Sequence, residues 1–481
     1  MLVFHIDLNT VALRRETISA LLRFVAACGY DSILWEVEDK VRWETCPECA
    51  HPDAFTKEEF REILDEAKSL GLAPIPLLQT FGHAEYVLSH EKYRAWRELP
   101  EKKDCYCVSR ADVRDFLKAW LHEYLELFGD GVKFFHLGGD EAYSFGKCPV
   151  CAVRDRMELY AEHLKAVAGE LLEKGIRPGC WCDMLLAGDD EQAVAQIPAD
   201  FVIWHWDYYY GCRNRPVSRW SDKTRFLQAH GYDVVFCGAS QCGGEDPFLP
   251  RYEWHSQNLA ASAKLVNGDG LLGLCVTSWS IRGSLKAEQY PLIDYAARCF
   301  RNPGLDAEAE FSAVCRRFFG DVTPAQLFDL TDWDHFYLAG IEGRSWNAYK
   351  DASVPMKGQF AYVLATQGRD APNFAERRLE TVAALLRRTE AAASAMRQAR
   401  GGTALLDSLL QGADLRIRLF GTLLAALRGE KTPPAPYLAS AAYYGLEQTD
   451  WSAFNFARIV WAVLDERYAE PFDGTQLFTP R

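Results

Sequence analysis

From residue 1 to about residue 303 the chain alternates short β-branched or apolar runs with longer amphipathic stretches, and few folds accommodate that rhythm. The runs predicted as strands are Val3–Asp7, Ser32–Glu36, Ala73–Gln79, Phe134–Leu137, Pro178–Asp183, Phe201–Trp206, Val234–Cys237 and Leu272–Trp279. Between and after them lie predicted helices at Arg15–Cys28, Lys57–Leu70, Asp112–Leu127, Met157–Lys174, Lys223–His230, Asn258–Leu265 and Ala287–Phe300. Parallel strands need long crossovers, which helices supply. Eight such units in about 300 residues fit an α/β fold, the (β/α)8 or TIM barrel. This fold carries its chemistry at the C-terminal ends of its strands, so polar residues there carry more weight than polar residues elsewhere.

After Arg301-Asn302-Pro303-Gly304 the rhythm stops. Glu308–Phe319, Phe374–Arg400, Leu405–Arg428 and Trp451–Tyr468 read as helices, punctuated by Gly401-Gly402 and Pro433-Pro434. The expected organisation is a catalytic barrel over 1–304 and an all-helical C-terminal domain over 305–481, which packs on the barrel or mediates a homodimer.

The densest chemical signal is Phe134-Phe135-His136-Leu137-Gly138-Gly139-Asp140-Glu141, at the end of the fourth predicted strand. Two glycines allow a sharp turn, after which adjacent carboxylates emerge on the catalytic face. Glycosidic cleavage needs a protonated acid at the leaving oxygen and a negative group near the anomeric carbon. Adjacent like charges raise one pKa, which favours that division of labour. A bare Asp-Glu pair is more often solvated surface; the apolar strand and double glycine argue against that here.

His-Leu-Gly-Gly-Asp-Glu resembles the signature of glycoside hydrolase family 20, the β-N-acetylhexosaminidases, and the chain is most similar to the hexosaminidase D branch. Leu34-Trp35-Glu36-Val37-Glu38-Asp39, Pro76-Leu77-Leu78-Gln79-Thr80-Phe81-Gly82-His83-Ala84-Glu85, Trp181-Cys182-Asp183-Met184-Leu185, Trp206-Asp207-Tyr208 and Thr277-Ser278-Trp279 agree with it in order. The resemblance spans the barrel and not the helical region. It implies an exo-acting retaining enzyme without a protein nucleophile, in which the sugar's 2-acetamido oxygen attacks and forms an oxazolinium intermediate. On that model Asp140 orients the acetamido group and Glu141 is general acid, then general base. Tyr208 bonds the acetamido oxygen, Trp181, Trp206 and Trp279 wall the sugar, and His83 lies beside the acids. Asp183, Glu36, Glu38, Asp39 and Glu288 are further candidates for substrate contacts. Trp204-His205 offers a second register for the Trp206-Asp207-Tyr208 segment. The chain departs from the family in two places. His5-Ile6-Asp7 stands where many members hold a strand-one arginine, and Cys182 replaces an aspartate, leaving Asp183 to serve.

Cys46-Pro47-Glu48-Cys49 and Cys148-Pro149-Val150-Cys151 are two Cys-Pro-x-Cys knuckles after strands two and four. Four thiolates on one barrel face predict a closed structural zinc site. Free thiols, or a labile disulfide in each knuckle, are the alternatives; Cys105 and Cys107 have the wrong spacing and are set aside. Catalysis is expected to need no cofactor.

The formal charge of -14 disfavours nucleic acid as a partner. No apolar run reaches the roughly 18 residues of a membrane span. The start lacks the basic and apolar segments of an export signal, so a cytoplasmic enzyme is expected, with fifteen cysteines that are mostly thiols or ligands. Its expected partner is a small oligosaccharide or glycoconjugate. Three other readings remain at this stage: an acetamido-sugar hydrolase of modified specificity, a non-catalytic sugar-binding barrel, and a zinc-dependent thiol protein with redox-active knuckles.

Overall fold

The eight apolar runs become parallel strands that close on one another in sequence order: β1 (Leu2–Asp7), β2 (Ser32–Glu36), β3 (Ala73–Leu77), β4 (Phe134–His136), β5 (Arg177–Trp181), β6 (Val202–Trp206), β7 (Asp233–Gln241) and β8 (Gly273–Ser278). The computed structural model describes residues 1–9, 11–186, 194–213, 223–242, 248–279, 285–331, 374–399, 401–431 and 433–461. One hydrogen-bonded register row runs from Asp7 through Glu36, Leu77, His136 and Gly179 to Val202. Alternation along each strand then decides which side chains enter the barrel. Val3, Leu34, Ile75, Trp181, Val202, Trp204, Val235 and Cys275 pack together as one buried cluster that fills the barrel. Phe4, Ile6, Ile33, Trp35, Phe135, Ile203 and Phe236 belong instead to the larger cluster that includes the helices.

The helices form where the sequence supplies both an apolar stripe and a stop. Arg15–Cys28 buries Ile18, Leu21, Leu22 and Val25 and ends at Gly29 in the left-handed region. Lys57–Ser69 starts in a capping box made by Thr56 and Glu59. Asp155 caps Arg156–Glu173.

Several boundaries differ from the sequence expectation, among them the end of β3 at Leu77 rather than Gln79. β5 stops at Trp181, and Asp183 opens a short helix, Asp183–Leu186. β7 runs to Gln241 rather than Cys237, with a register shift near Ala239. Its extension, Gly238-Ala239-Ser240, has small residues with weak strand preference. Pairing with β8, and the Asn258 side chain accepting from the Ala239 N–H at 3.0 Å, hold it extended. The following helix is Tyr252–Asp269, six residues longer at its start than the predicted Asn258. Its first turns bury Tyr252, Trp254, His255 and Ser256 alike, which blurs the amphipathic stripe.

Beyond residue 304 the described structure is helical: Ala307–Phe319, Pro324–Thr331, Phe374–Met396, Ala404–Leu427, Tyr437–Tyr444 and Asp450–Trp461. The last part of the predicted Trp451–Tyr468 helix lies outside the described residues. Leu409, Tyr443, Tyr444 and Trp461 share one buried cluster with barrel residues, so the two parts have a common core. The junction is also polar. The buried Glu447 carboxylate accepts from the backbone N–H groups of Lys286 and Ala287, and its carbonyl accepts from Arg14 N at 2.9 Å. Ala12 N donates to Ser452 Oγ at 3.0 Å. The helical region therefore fixes the start of the first helix and the segment after β8. Among the described residues, no helix is long and apolar enough to cross a membrane.

Glu447→Ala leaves one buried and one partly buried amide unpartnered, which costs about 3 kcal/mol. It should lower the thermal unfolding midpoint clearly, and an unchanged midpoint would show that this contact does not hold the helical region to the barrel.

Candidate active site

The site begins where β4 ends. Gly138 has φ 67°, and a side chain there would meet Gln79 Oε1 at 2.1 Å, so the turn after the strand tolerates only glycine. Its backbone stays in the barrel: Leu137 N donates to Gly179 O at 2.8 Å and Trp181 N to Gly138 O at 3.0 Å. Gly139 O then accepts from Tyr160 Oη at 3.0 Å. The chain leaves this anchor with Asp140 only 6% exposed and Glu141 at φ 45°. The Glu141 N–H donates to Asp183 Oδ2 at 2.9 Å, which ties its strained backbone to the end of β5.

A second loop meets this one backbone to backbone. A Cβ on Gly82 would lie 2.1 Å from the Asp140 carbonyl oxygen, so glycine permits the approach. His83 follows with φ 51°, and its Nε2 lies 3.1 Å from Asp140 Oδ2 and 3.6 Å from Glu141 Oε2. Tyr143 Oη donates to Glu141 Oε1 at 3.0 Å. Three residues predicted from sequence thus share one spot, each on a loop held by glycine-dependent turns. Left-handed φ at two non-glycine residues costs on the order of 1 kcal/mol each, and such strain concentrates at functional sites.

From Asp183 the contacts continue round the barrel mouth. Trp206 Nε1 reaches Asp183 Oδ1 at 3.4 Å, and the Trp206 and Tyr208 rings stack at 5.5 Å. Trp279 Nε1 donates to Tyr208 Oη at 2.8 Å. Trp181 lies 5.8 Å from Trp279, centroid to centroid, and His5 packs edge-on against Trp279 at 4.6 Å. His5 Nε2 bonds Glu36 Oε2 at 3.0 Å, and Gln79 Nε2 donates to Glu36 Oε1 at 2.7 Å. Gln79 leads along its own loop back to His83. Of the two registers open for the β6 tryptophans, Trp204 is buried inside the barrel and Trp206 reaches the ring.

Burial makes two acids of this ring, Asp183 and Glu36, hold their protons more tightly than a free carboxyl does. Desolvation, reinforced by the charges of Asp140 and Glu141, pushes Asp183 up to about 7. Glu36 also rises to about 7, mainly by burial and then by Asp140, with the Gln79 hydrogen bond and His83 opposing. Burial drives His5 down to about 4 and His136 down to about 3, so both are neutral near neutral pH. The imidazole of His136 accepts from Gly138 N through Nδ1 at 3.0 Å and sits 4.3 Å from the Trp181 ring, bracing the turn from below.

Several predicted ligands are elsewhere engaged. Glu38 and Asp39 are at most 1% exposed, not solvent-facing. Glu38 accepts from Asn9 Nδ2 at 2.9 Å and Asp39 pairs with Lys40, so both hold the β2 loop together. Glu288 is fully buried, and its carboxylate accepts from Tyr443 Oη at 2.9 and 3.0 Å and from Ser408 Oγ at 2.8 Å. It therefore faces the C-terminal helices. The four-cysteine zinc site does not form either: Cys46 and Cys49 are joined to each other as a disulfide. Cys148 and Cys151 instead meet Cys107, at 3.7 and 3.8 Å between sulfurs, and Glu98. His5 and Gln79 were missing from the predicted set. Their positions, within β1 and just after β3, were the available signal, since both fall on the inward parity of Glu36.

Residues 34–242 match the family model described as glycosyl hydrolase family 20, catalytic domain. The human protein Hexosaminidase D is 26% identical over 306 residues, covering 58% of this chain and 60% of that protein. The bovine Hexosaminidase D is 28% identical over 294 residues, covering 58% of this chain and 84% of its relative. The chain thus spans 60% of the length of the human relative it matches, less than two thirds. A crystal structure of β-N-acetylhexosaminidase from Bacteroides fragilis superimposes with a TM-score of 0.50 at 19% identity, covering 62% of this chain and 65% of that one. A family 20 exo-β-N-acetylglucosaminidase from Vibrio harveyi gives 0.50 at 15% identity, covering 65% and 56%. At these identities the structural likeness speaks to the barrel fold.

The raised pKa of Glu36 has a definite sign in stability. Its folded value of about 7 exceeds the ordinary 4.5, so the native state holds this proton where the unfolded chain has lost it. That contribution is fully present below pH 4.5 and is lost as pH rises through about 7. Glu36→Gln removes the titration while retaining the shape. Its thermal midpoint should therefore gain on the wild type as pH rises across that window; a pH-independent difference would contradict the buried, protonated Glu36.

Proposed function

We propose, from the match of residues 34–242 to the glycosyl hydrolase family 20 catalytic-domain model, that the chain is an exo-acting, retaining β-N-acetylhexosaminidase. It acts on terminal N-acetylglucosamine or N-acetylgalactosamine with the substrate's own acetamido group as nucleophile. The observation that carries this reading is the contact of His83 with both Asp140 and Glu141 at the C-terminal mouth of the barrel. Buried Asp140 suits the acetamido N–H: a carboxylate there aims the group and stabilises the positive charge that develops as its oxygen attacks the anomeric carbon. Glu141, more exposed and bonded by Tyr143, suits the leaving oxygen, to which it gives a proton. The oxazolinium so formed opens when water, deprotonated by the Glu141 carboxylate, attacks the same face on which the leaving group stood. Two inversions give net retention.

The remaining ring supports binding. Trp206, Tyr208 and Trp279 offer apolar faces for the sugar and the acetamido methyl, with the fully buried Trp181 packed beneath Trp279. Tyr208, positioned by Trp279, suits the acetamido oxygen. Glu36 with His5 and Gln79 offers donors and acceptors for ring hydroxyls, replacing a strand-one arginine. The reaction so written calls on no cofactor, because the substrate supplies the nucleophile.

Aryl β-N-acetylglucosaminide and its galactosamine analogue test this directly. Glu141→Gln should lower kcat by ~10²–10⁴, the usual worth of a general acid-base group. Asp140→Asn should lower it by ~10²–10³, as expected of charge stabilisation. Both wild type and variants should leave glycosides without the acetamido group intact. Unchanged turnover in Glu141→Gln, or no turnover in the wild type, would remove the proposal and favour a barrel that only binds sugar.

A further inference from the structure

The loop that follows Glu141 is drawn against the loop that follows β3 by a compact set of side chains outside the acidic ring. Cys107 Sγ lies 3.7 Å from Cys148 Sγ and 3.8 Å from Cys151 Sγ, while Cys151 Sγ lies 3.4 Å from Glu98 Oε2. The four donor atoms all fall within 4.8 Å of one another. Glu98, Cys107, Cys148 and Cys151 are 1, 6, 9 and 0% exposed, and the three cysteines are free thiols. A tetrahedral zinc ion with Zn–S of about 2.3 Å sets its sulfurs about 3.8 Å apart. With Zn–O of about 2.0 Å, it places a carboxylate oxygen about 3.5 Å from a sulfur. The observed spacings match both kinds of edge.

The surroundings orient these atoms as a metal site requires. Lys147 N and Cys148 N donate to Glu98 Oε1 at 2.9 and 3.0 Å, which turns Oε2 toward Cys151. Cys151 N donates to Cys148 Sγ at 3.3 Å, and Ser109 Oγ lies 3.0 Å from Cys151 Sγ. Bonds of this kind, made by groups just outside the ligands, fix ligand direction and moderate thiolate charge.

We propose that Glu98, Cys107, Cys148 and Cys151 form a closed structural zinc site. Thiolates favour zinc over the hard cations, and four protein ligands leave no position for substrate. Binding replaces three S–H bonds with three Zn–S bonds and releases three protons, while the carboxylate coordinates as it stands. The site clamps the two loops that carry His83 and Glu141, beside a second link in which Asp104 accepts from Ser144 N at 2.9 Å and from Ser144 Oγ at 2.6 Å. Cys46 and Cys49 take no part.

The test is elemental analysis of the untagged full chain purified under reducing conditions. Wild type and the Cys46→Ser/Cys49→Ser double variant should each hold about one zinc per chain, and Cys107→Ser and Cys151→Ser about tenfold less. Cobalt loaded in place of zinc reports on the wild type alone, so the proposal stays testable even where a serine variant fails to fold. It should give a near-ultraviolet thiolate-to-cobalt band and the visible bands of a tetrahedral ion. A wild type that holds no zinc and shows no such cobalt spectrum overturns the site. So does zinc that survives Cys107→Ser and Cys151→Ser.

Discussion

The mouth of this barrel depends on two loops passing closer than side chains allow. Gly82 presses its backbone against the carbonyl of Asp140, and Gly138 turns the other loop under Gln79. Those contacts put His83 within reach of two adjacent carboxylates that would otherwise repel into solvent. The cost is local strain at His83 and Glu141, both at positive φ, and the rigid barrel beneath supplies the support. Barrel closure does the rest: the ring from Glu141 through Asp183, Trp206, Tyr208, Trp279, His5, Glu36 and Gln79 draws on seven of the eight strands or the loops just after them.

Burial sets the electrostatics of that ring. Asp183 and Glu36 hold protons to about 7, whereas His5 and His136 give theirs up. The mouth therefore avoids a pile of unscreened negative charge next to Asp140, the carboxylate that the proposed mechanism sets against a developing cation. The C-terminal helices contribute from behind. Tyr443 and Ser408 hold Glu288, and Glu447 holds the backbone of Lys286 and Ala287, so the segment after β8 is fixed by residues more than a hundred positions away.

Much of this was legible in the chain itself because it depends on local pattern. Period-2 and 3.6-residue patterns located all eight strands and most helices, and the double glycine before Asp140-Glu141 marked the turn that presents them. What escaped depends on contacts between distant segments. Gly238-Ala239-Ser240 reads as loop until β8 pairs with it, and the helix at Tyr252 is buried on too many sides to show a stripe. Glu38 and Glu288 read as substrate contacts because nothing local announces Asn9 or Tyr443 as their partners, and Asp39 because the sequence does not show that it is buried against its neighbour Lys40. Spacing also misled on the cysteines: the knuckle pattern grouped Cys46 and Cys49 with Cys148 and Cys151, whereas the fold delivers Cys107 and Glu98 from one intervening loop.

The most direct test of the account is a crystal structure with a bound thiazoline derived from N-acetylglucosamine, a stable mimic of the cyclised acetamido intermediate. Its ring nitrogen should lie against Asp140, its anomeric carbon beneath Glu141, and its methyl between Trp206 and Trp279. A ligand seated away from these residues, or one whose bicyclic ring faces solvent rather than Asp140, would contradict it.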